Sequence, residues 1–249
     1  MWSSPYRAMG GETPAVYALL SVMGIVFIAD WALHGALTAL LSWPASPTWF
    51  RALPMLLWQP FTFPFVHDVN FLYLLTDGIV LFFFGGSLER AWGSAKFLFF
   101  FFASGIIAGL AVIVISLLLP GPLSIFVGMM GSWVAMVVAF SAMNPFVTVL
   151  LIVFPLQARW LGVLSVAWEL FGRSAAYGGP AAAVAAVGAT VCFAYFFATS
   201  RFSFGSLFRG GGPSLRDRMD RWQQKRRMRE WQRRVSRVER PEDLFKDKK

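Results

Sequence analysis

The chain has 249 residues, of which 57% are hydrophobic, 26 are Phe, 11 are Trp and only 14% are charged, with a mean hydropathy of +0.60; soluble domains are not built this way. Several apolar runs reach the ~20 residues that a helix needs to cross a bilayer, so the composition describes an all-α polytopic membrane protein. It excludes a disulfide scaffold, since the single Cys192 lies in an apolar run. The net charge of +9 sits at one end: from Arg201 onward 16 Lys/Arg face seven Asp/Glu, and before Arg201 the two balance.

Residues 1–14 form a short polar lead. A cleaved secretory signal is not expected, because the first apolar run starts after Pro14, is long and lacks a cleavage site. Thr13-Pro14 is a helix start, with Thr as the N-cap and Pro at the first helical position. Span 1 then covers about Ala15–Leu41 and contains Asp30 and His34, one turn apart on one face. Trp43, Trp49 and Trp58 suit a membrane–water interface. A short interfacial helix is expected from Ser46 to Leu57, followed by an extended passage at Pro60 and Pro64.

Span 2 covers about Phe71–Leu88 and carries Asp77. Gly93-Ser94 breaks it, and Ser94 is expected to cap span 3, Ala95–Leu119. Span 4 follows Pro120-Gly-Pro122 and runs to Asn144. Phe146–Phe154 is too short to span as a helix; it either lies along the boundary or extends span 5, which ends near Phe171. Span 6 covers Tyr177–Thr199. Gly131, Ala135 and Ala139 line one face of span 4, and Gly178, Ala182, Ala186, Thr190, Ala194 and Ala198 line one face of span 6. Small residues at this spacing let helices approach closely in a membrane, so spans 4 and 6 are expected to pack together. With six spans, Arg7, Arg90, Lys96, Arg159 and the tail fall on one side and only Arg51 and Arg173 on the other. That bias places both termini in the cytoplasm.

The junction of spans 2 and 3, Phe84-Gly-Gly-Ser-Leu-Glu-Arg-Ala-Trp-Gly-Ser-Ala-Lys-Phe97, resembles a signature of rhomboid intramembrane proteases. So do Trp58-Gln-Pro-Phe-Thr-Phe-Pro-Phe-Val-His67 in the first loop, Phe154–Trp160 and Trp168–Gly172 of span 5, and the Gly128-Met129-Met130-Gly131 entry to span 4. The resemblance covers about residues 15–200. It implies a six-transmembrane-helix rhomboid-like bundle, followed by a basic, partly helical cytoplasmic tail over 201–249. It also marks Gly85, Gly86, Glu89, Gly93, Gly128, Gly131, Gly178 and Gly179 as structural positions. Glu89 is expected to be satisfied by Arg90 and by free amides of the next turn.

The departures concern chemistry. Where rhomboids carry the nucleophilic serine, this chain has Met130. The histidine position falls at Ala176, the supporting Asn and His positions hold Asp77 and Tyr73, and the loop's usual Trp-Arg is Trp58-Gln59. Ser132 lies two residues past Met130, which turns a helix by roughly 200°, and a serine needs a base within ~3 Å. The chain has two histidines, His34 and His67, neither expected near span 6. The resemblance therefore implies a pseudoprotease that binds transmembrane segments of client proteins, with a role in their retention or degradation. An intramembrane serine protease with displaced residues is one alternative. A small transporter using Asp30, His34 and Asp77 as a polar pocket is another, since intramembrane acids usually face an interior cavity. The bland reading of those three is a structural Asp30–His34 pair with Asp77 bonded to Thr76 or a neighbouring span. No metal or other cofactor is expected; His34, Asp30 and His67 form the weak alternative. The membrane expected from this resemblance is a bacterial inner membrane.

The tail begins with Gly210-Gly-Gly-Pro213, and Ser214 can cap a helix to about Val238, with Trp222 and Trp231 among its apolar residues. Its basic and Trp content suits anionic lipid headgroups; nucleic acid is not expected as a partner. Truncation after Gly212 should leave the spans folded and weaken binding to anionic vesicles in a flotation assay.

Overall fold

The computed structural model describes residues 13–45, 58–67, 71–119, 124–151 and 154–200. The Ser46–Leu57 helix, Arg7, Arg51 and the whole basic tail lie outside the described residues. Helix α1 (Pro14–Ala32) starts where Thr13-Pro14 predicts, but the Thr13 hydroxyl makes no capping bond. The cap comes from far along the chain: Ala15 N and Val16 N donate to Glu89 Oε1 and Oε2, each at 2.9 Å. Span 1 is also shorter than expected. His34 (φ 52°) and Gly35 (φ 85°) break the helix, and α2 (Ala36–Leu41) restarts it. Both Asp30 oxygens reach across this break, accepting from Thr38 N (2.9 Å) and Thr38 Oγ1 (2.6 Å).

Strand β1 (Trp43–Ala45) follows. Beyond it, Pro60 and Pro64 do not extend the chain. Each sits at the start of a short helical turn, α3 (Gln59–Thr62) and a 3₁₀ turn at Phe63–Phe65, where a missing N–H costs nothing. Helix α4 (Phe71–Val80) continues through a π-turn (Leu81–Gly85) into α5 (Gly86–Trp92). Gly93 is the N-cap of α6 (Ser94–Leu118). Ser94 does not cap that helix; its hydroxyl donates to Glu89 Oε1 at 2.6 Å.

Strand β2 (Ser124–Phe126) pairs antiparallel with β1, Trp43 opposite Phe126. Helix α7 begins only at Ser132 and ends at Met143, because Gly128 (φ 70°) and Gly131 (φ 80°) hold the preceding segment out of helical conformation. The apolar stretch after it is an antiparallel hairpin of β3 (Thr148–Leu151) and β4 (Phe154–Gln157), with Thr148 opposite Gln157. It does not lengthen α8 (Ala158–Ala167), which continues into a π-turn at Trp168–Gly172. A 3₁₀ turn (Ser174–Tyr177) and the positive-φ pair Gly178-Gly179 delay α9 to Pro180–Thr199. Among the described residues, four helical stretches are long and apolar enough to cross a bilayer: Pro14–Ala32, Phe71–Trp92, Ser94–Leu118 and Pro180–Thr199. Of the other two expected spans, α7 has 12 residues and α8 has 10.

Helix α7 is the axis of the packing. Val134 through Ala139 are all buried, in one core with Phe97, Phe100 and Phe101 of α6 and Val80 and Leu81 at the α4 end. Phe193 stacks on Phe100 at 5.7 Å between ring centroids, and Trp92 meets Phe197 edge-on at 5.2 Å. The small faces of α7 and α9 meet as expected, and they meet α6 as well. A Cβ at Gly131 would lie 2.5 Å from Ala108 Cβ and 3.6 Å from Thr190 Oγ1. Ala186 is fully buried and Val184 is 62% exposed. Ala186→Leu should therefore overpack the contact and cost about 1–3 kcal/mol. Val184→Leu should leave the thermal midpoint of the detergent-solubilised protein unchanged.

Candidate functional site

A cavity of about 340 Å³ lies where four segments converge. Helix α4 contributes Tyr73 and Asp77, and the end of the first loop contributes His67. The entry to α7 contributes Gly128 and Met130, and the turn before α9 contributes Arg173, Ala175 and Ala176. Met130, Ala176, Asp77 and Tyr73, the four substituted positions of the sequence comparison, thus share one wall-to-wall space. Met130 is fully buried.

His67 and Asp77 organise its floor. His67 Nε2 lies 3.2 Å from Asp77 Oδ2, and Nδ1 lies 3.3 Å from Phe65 O. The same Asp77 oxygen accepts from Met129 N at 3.0 Å. Gly128 makes this approach possible. Its amide donates to Val66 O (2.5 Å) and Phe63 O (3.1 Å), its φ is positive, and an added Cβ would come within 3.2 Å of Asp77 Oδ2. His67 was expected to lie away from the start of α9, yet it shares a cavity with Ala176. The Pro60 and Pro64 turns fold the first loop inward and carry it there.

A second polar group stands behind the Arg173 wall. Tyr177 OH donates to Glu169 Oε1 at 2.7 Å, and Arg173 Nη1 lies 3.7 Å from the same oxygen. The Arg173 guanidinium also sits 5.4 Å from the centre of the Tyr73 ring, a cation–π distance. Glu169 Oε2 is buried without a hydrogen-bond partner among the described residues. The Tyr177 side chain is fully buried, and its hydroxyl is the donor of this pair.

The remaining polar candidates are placed elsewhere. Asp30 is consumed by Thr38 and does not pair with His34, which is exposed. Asp77 bonds to His67 and Met129, not to Thr76, whose hydroxyl donates to Leu72 O and Tyr73 O. Asp30 and His34 are not among the described residues lining the Asp77 cavity, so the three do not form one pocket. Nor do any three His, Cys, Asp or Glu gather as a metal site would require among the described residues. Ser132 Oγ donates to Phe101 O at 2.7 Å and is wholly buried. Glu89 takes the amides of α1, not those of the turn that follows it.

Residues 15–230, most of the chain, match a family described as eukaryotic integral membrane protein (DUF1751). The chain belongs to that family. A search of curated proteins finds no match. Membership makes the protein an integral membrane protein and corrects the expected setting: the family is eukaryotic, so a bacterial inner membrane is ruled out.

The Glu169–Tyr177–Arg173 group escaped the sequence reading, although Glu169 and Arg173 stand four residues apart at the end of an apolar run. An acid within a span is a functional candidate by default, and that was the available signal. Tyr177→Phe removes the hydroxyl that donates to Glu169 Oε1 at 2.7 Å. It should lower stability in detergent by about 1–3 kcal/mol, read from the thermal midpoint of the full chain.

Proposed function

We propose that this DUF1751 protein is a rhomboid-like pseudoprotease that holds transmembrane segments of client proteins without cleaving them. One observation carries the reading. The cavity assembles every position at which the resemblance puts a catalytic group, and none of its described lining residues carries an aliphatic hydroxyl or a thiol. Methionine has no proton to give and is not a nucleophile at neutral pH, and alanine cannot act as a base. The oxyanion side is blocked as well. The Met129 amide, a potential donor to a developing negative charge, is already taken by the Asp77 carboxylate.

The displaced-serine alternative is disfavoured by Ser132, whose hydroxyl is committed to Phe101 O inside the α6–α7 contact. The transporter alternative loses the shared pocket it needs, because Asp30 and Asp77 are engaged with different partners. In the proposed arrangement α7 and α8 complete six spans. A helix sheathed by other helices, as α7 is, has no need to match the full thickness of the bilayer. Both termini lie in the cytoplasm, and the basic tail follows the sixth span. Clients are bound for retention or degradation.

The purified protein should neither react with a serine-directed fluorophosphonate probe nor cut a rhomboid-type transmembrane substrate. Met130→Ser should not restore cutting, because both ring nitrogens of His67 already face oxygens. Ala176→Trp, which narrows the cavity, should weaken binding of a labelled transmembrane peptide. Cleavage that is lost in Ser132→Ala would overturn the proposal, and peptide binding indifferent to Ala176→Trp would remove the cavity from it.

A further inference from the structure

A second cavity, of about 530 Å³, opens between α7, α8 and α9, away from the Asp77 site. Its inner part is apolar, walled by Val138, Val166 and Val191. At its other end three helix termini meet. Pro145 follows the end of α7, Arg159 stands in the first turn of α8, and Tyr195 stands in the last turn and a half of α9. The space is therefore amphiphilic along its length, with a cation and a phenol at one end and valines at the other.

Arg159 is exposed, and no carboxylate among the described residues lies within salt-bridge distance of it. Its guanidinium instead rests 5.6 Å from the Trp160 ring and 5.8 Å from the Phe146 ring. These two aromatic residues are exposed and suited to the headgroup level of a bilayer. They hold the cation at the mouth of the groove and leave its N–H donors for an anion. Tyr195 is 59% exposed and adds a hydroxyl beside it. Close packing of α7 on α8 forms the back wall. A Cβ at Gly162 would lie 3.0 Å from Ser141 Cβ, and the Ser141 hydroxyl is turned inward onto Val137 O at 2.7 Å. The groove thus presents apolar surface where a hydrocarbon chain would lie.

We propose that this groove is a binding site for one anionic phospholipid, whose net-negative headgroup pairs with Arg159 while an acyl chain fills the space between α7, α8 and α9. Basic pockets between transmembrane helices take acidic headgroups in this way. The site is independent of the client reading of the Asp77 cavity.

The test uses the full chain in detergent, analysed by native mass spectrometry with phosphatidylserine or phosphatidylcholine of matched chains. The wild type should retain one tightly held phosphatidylserine in preference to phosphatidylcholine. Arg159→Gln should reduce that occupancy about five-fold, the effect of one interfacial cation, and Arg159→Lys should keep most of it. Val166→Trp, which fills the groove and leaves every charge in place, should also reduce it. Glycerophosphate, which has a phosphate and no chains, should not compete. Several outcomes would overturn the proposal. Equal retention by wild type and Arg159→Gln would assign the bound lipid to the tail or another surface. Equal binding of phosphatidylcholine would reduce the groove to a plain chain contact, and full competition by glycerophosphate would remove the acyl chain from the recognition. If Val166→Trp does not fold, the Gln and Lys variants at Arg159 decide the matter alone.

Discussion

The Glu89 carboxylate is the interaction on which the arrangement of the helices rests. It is buried and accepts three hydrogen bonds, from Ala15 N, Val16 N and Ser94 Oγ. Two of these donors are orphan amides at the positive end of α1, where a negative charge is favoured. The third belongs to the first turn of α6. One side chain therefore fixes the start of the first helix against the reversal between the second and third long helices. Farther along α1, Leu19 and Met23 are buried, while Ile25, Ile28 and Trp31 are exposed. Lipid is as apolar as these side chains, so burial against neighbours gives them little preference for one register over another. A charged hydrogen-bond anchor does give that preference.

With the periphery anchored, the interior can be tight. Helix α7 is surrounded by α6, α8 and α9, and its glycine and alanine face lets α6 and α9 approach almost backbone to backbone. The same closeness dictates how α7 begins. The chain must enter the bundle beside the His67–Asp77 pair, where Gly128 has no side chain to collide with Asp77, and then pass Ala108 at Gly131. The cavity is what remains between this non-helical entry and the turn before α9. Its walls include the positive-φ Gly128, the His67–Asp77 pair and Arg173. Its described lining carries no aliphatic hydroxyl, and Met130, Ala175 and Ala176 stand where one would be needed.

The sequence made the long helices legible because apolar runs and Gly or Pro punctuation mark them directly. It also brought Met130, Ala176, Asp77 and Tyr73 together through motif spacing, and the cavity groups all four. Partnerships across distant segments were not legible. Asp30 was read against His34 because they share a helical face, but the break at His34 and Gly35 sends its carboxylate to Thr38. Ser94 looked like a cap by position, yet Glu89 competes for its hydroxyl more strongly than the local amides do. Phe146–Phe154 carries β-branched residues, yet by itself it points to boundary chain or an extension of span 5, because a short strand needs a partner that local sequence does not reveal. His67 could not be placed at all without knowing that two prolines would coil the loop inward.

The π-turn at Leu81–Gly85 sets the rotational phase of the helix that contains it. Asp77 lies before this turn and Glu89 after it, and each is locked to a different part of the molecule. A π-turn carries one residue more than an α-helical path would, and each residue rotates the helix by about 100°. Loss of a single residue between 81 and 85 would straighten the turn without disturbing hydrophobicity or length in any visible way. Because the turn absorbs its extra residue, that loss would leave Asp77 on its cavity and Glu89 on α1, whereas the same loss in the α-helical stretch on either side would turn one of them away by about 100°. Within the turn the constraint falls on side chains instead, since Leu81 and Gly85 are buried and a Cβ at Gly85 would lie 3.1 Å from Phe97.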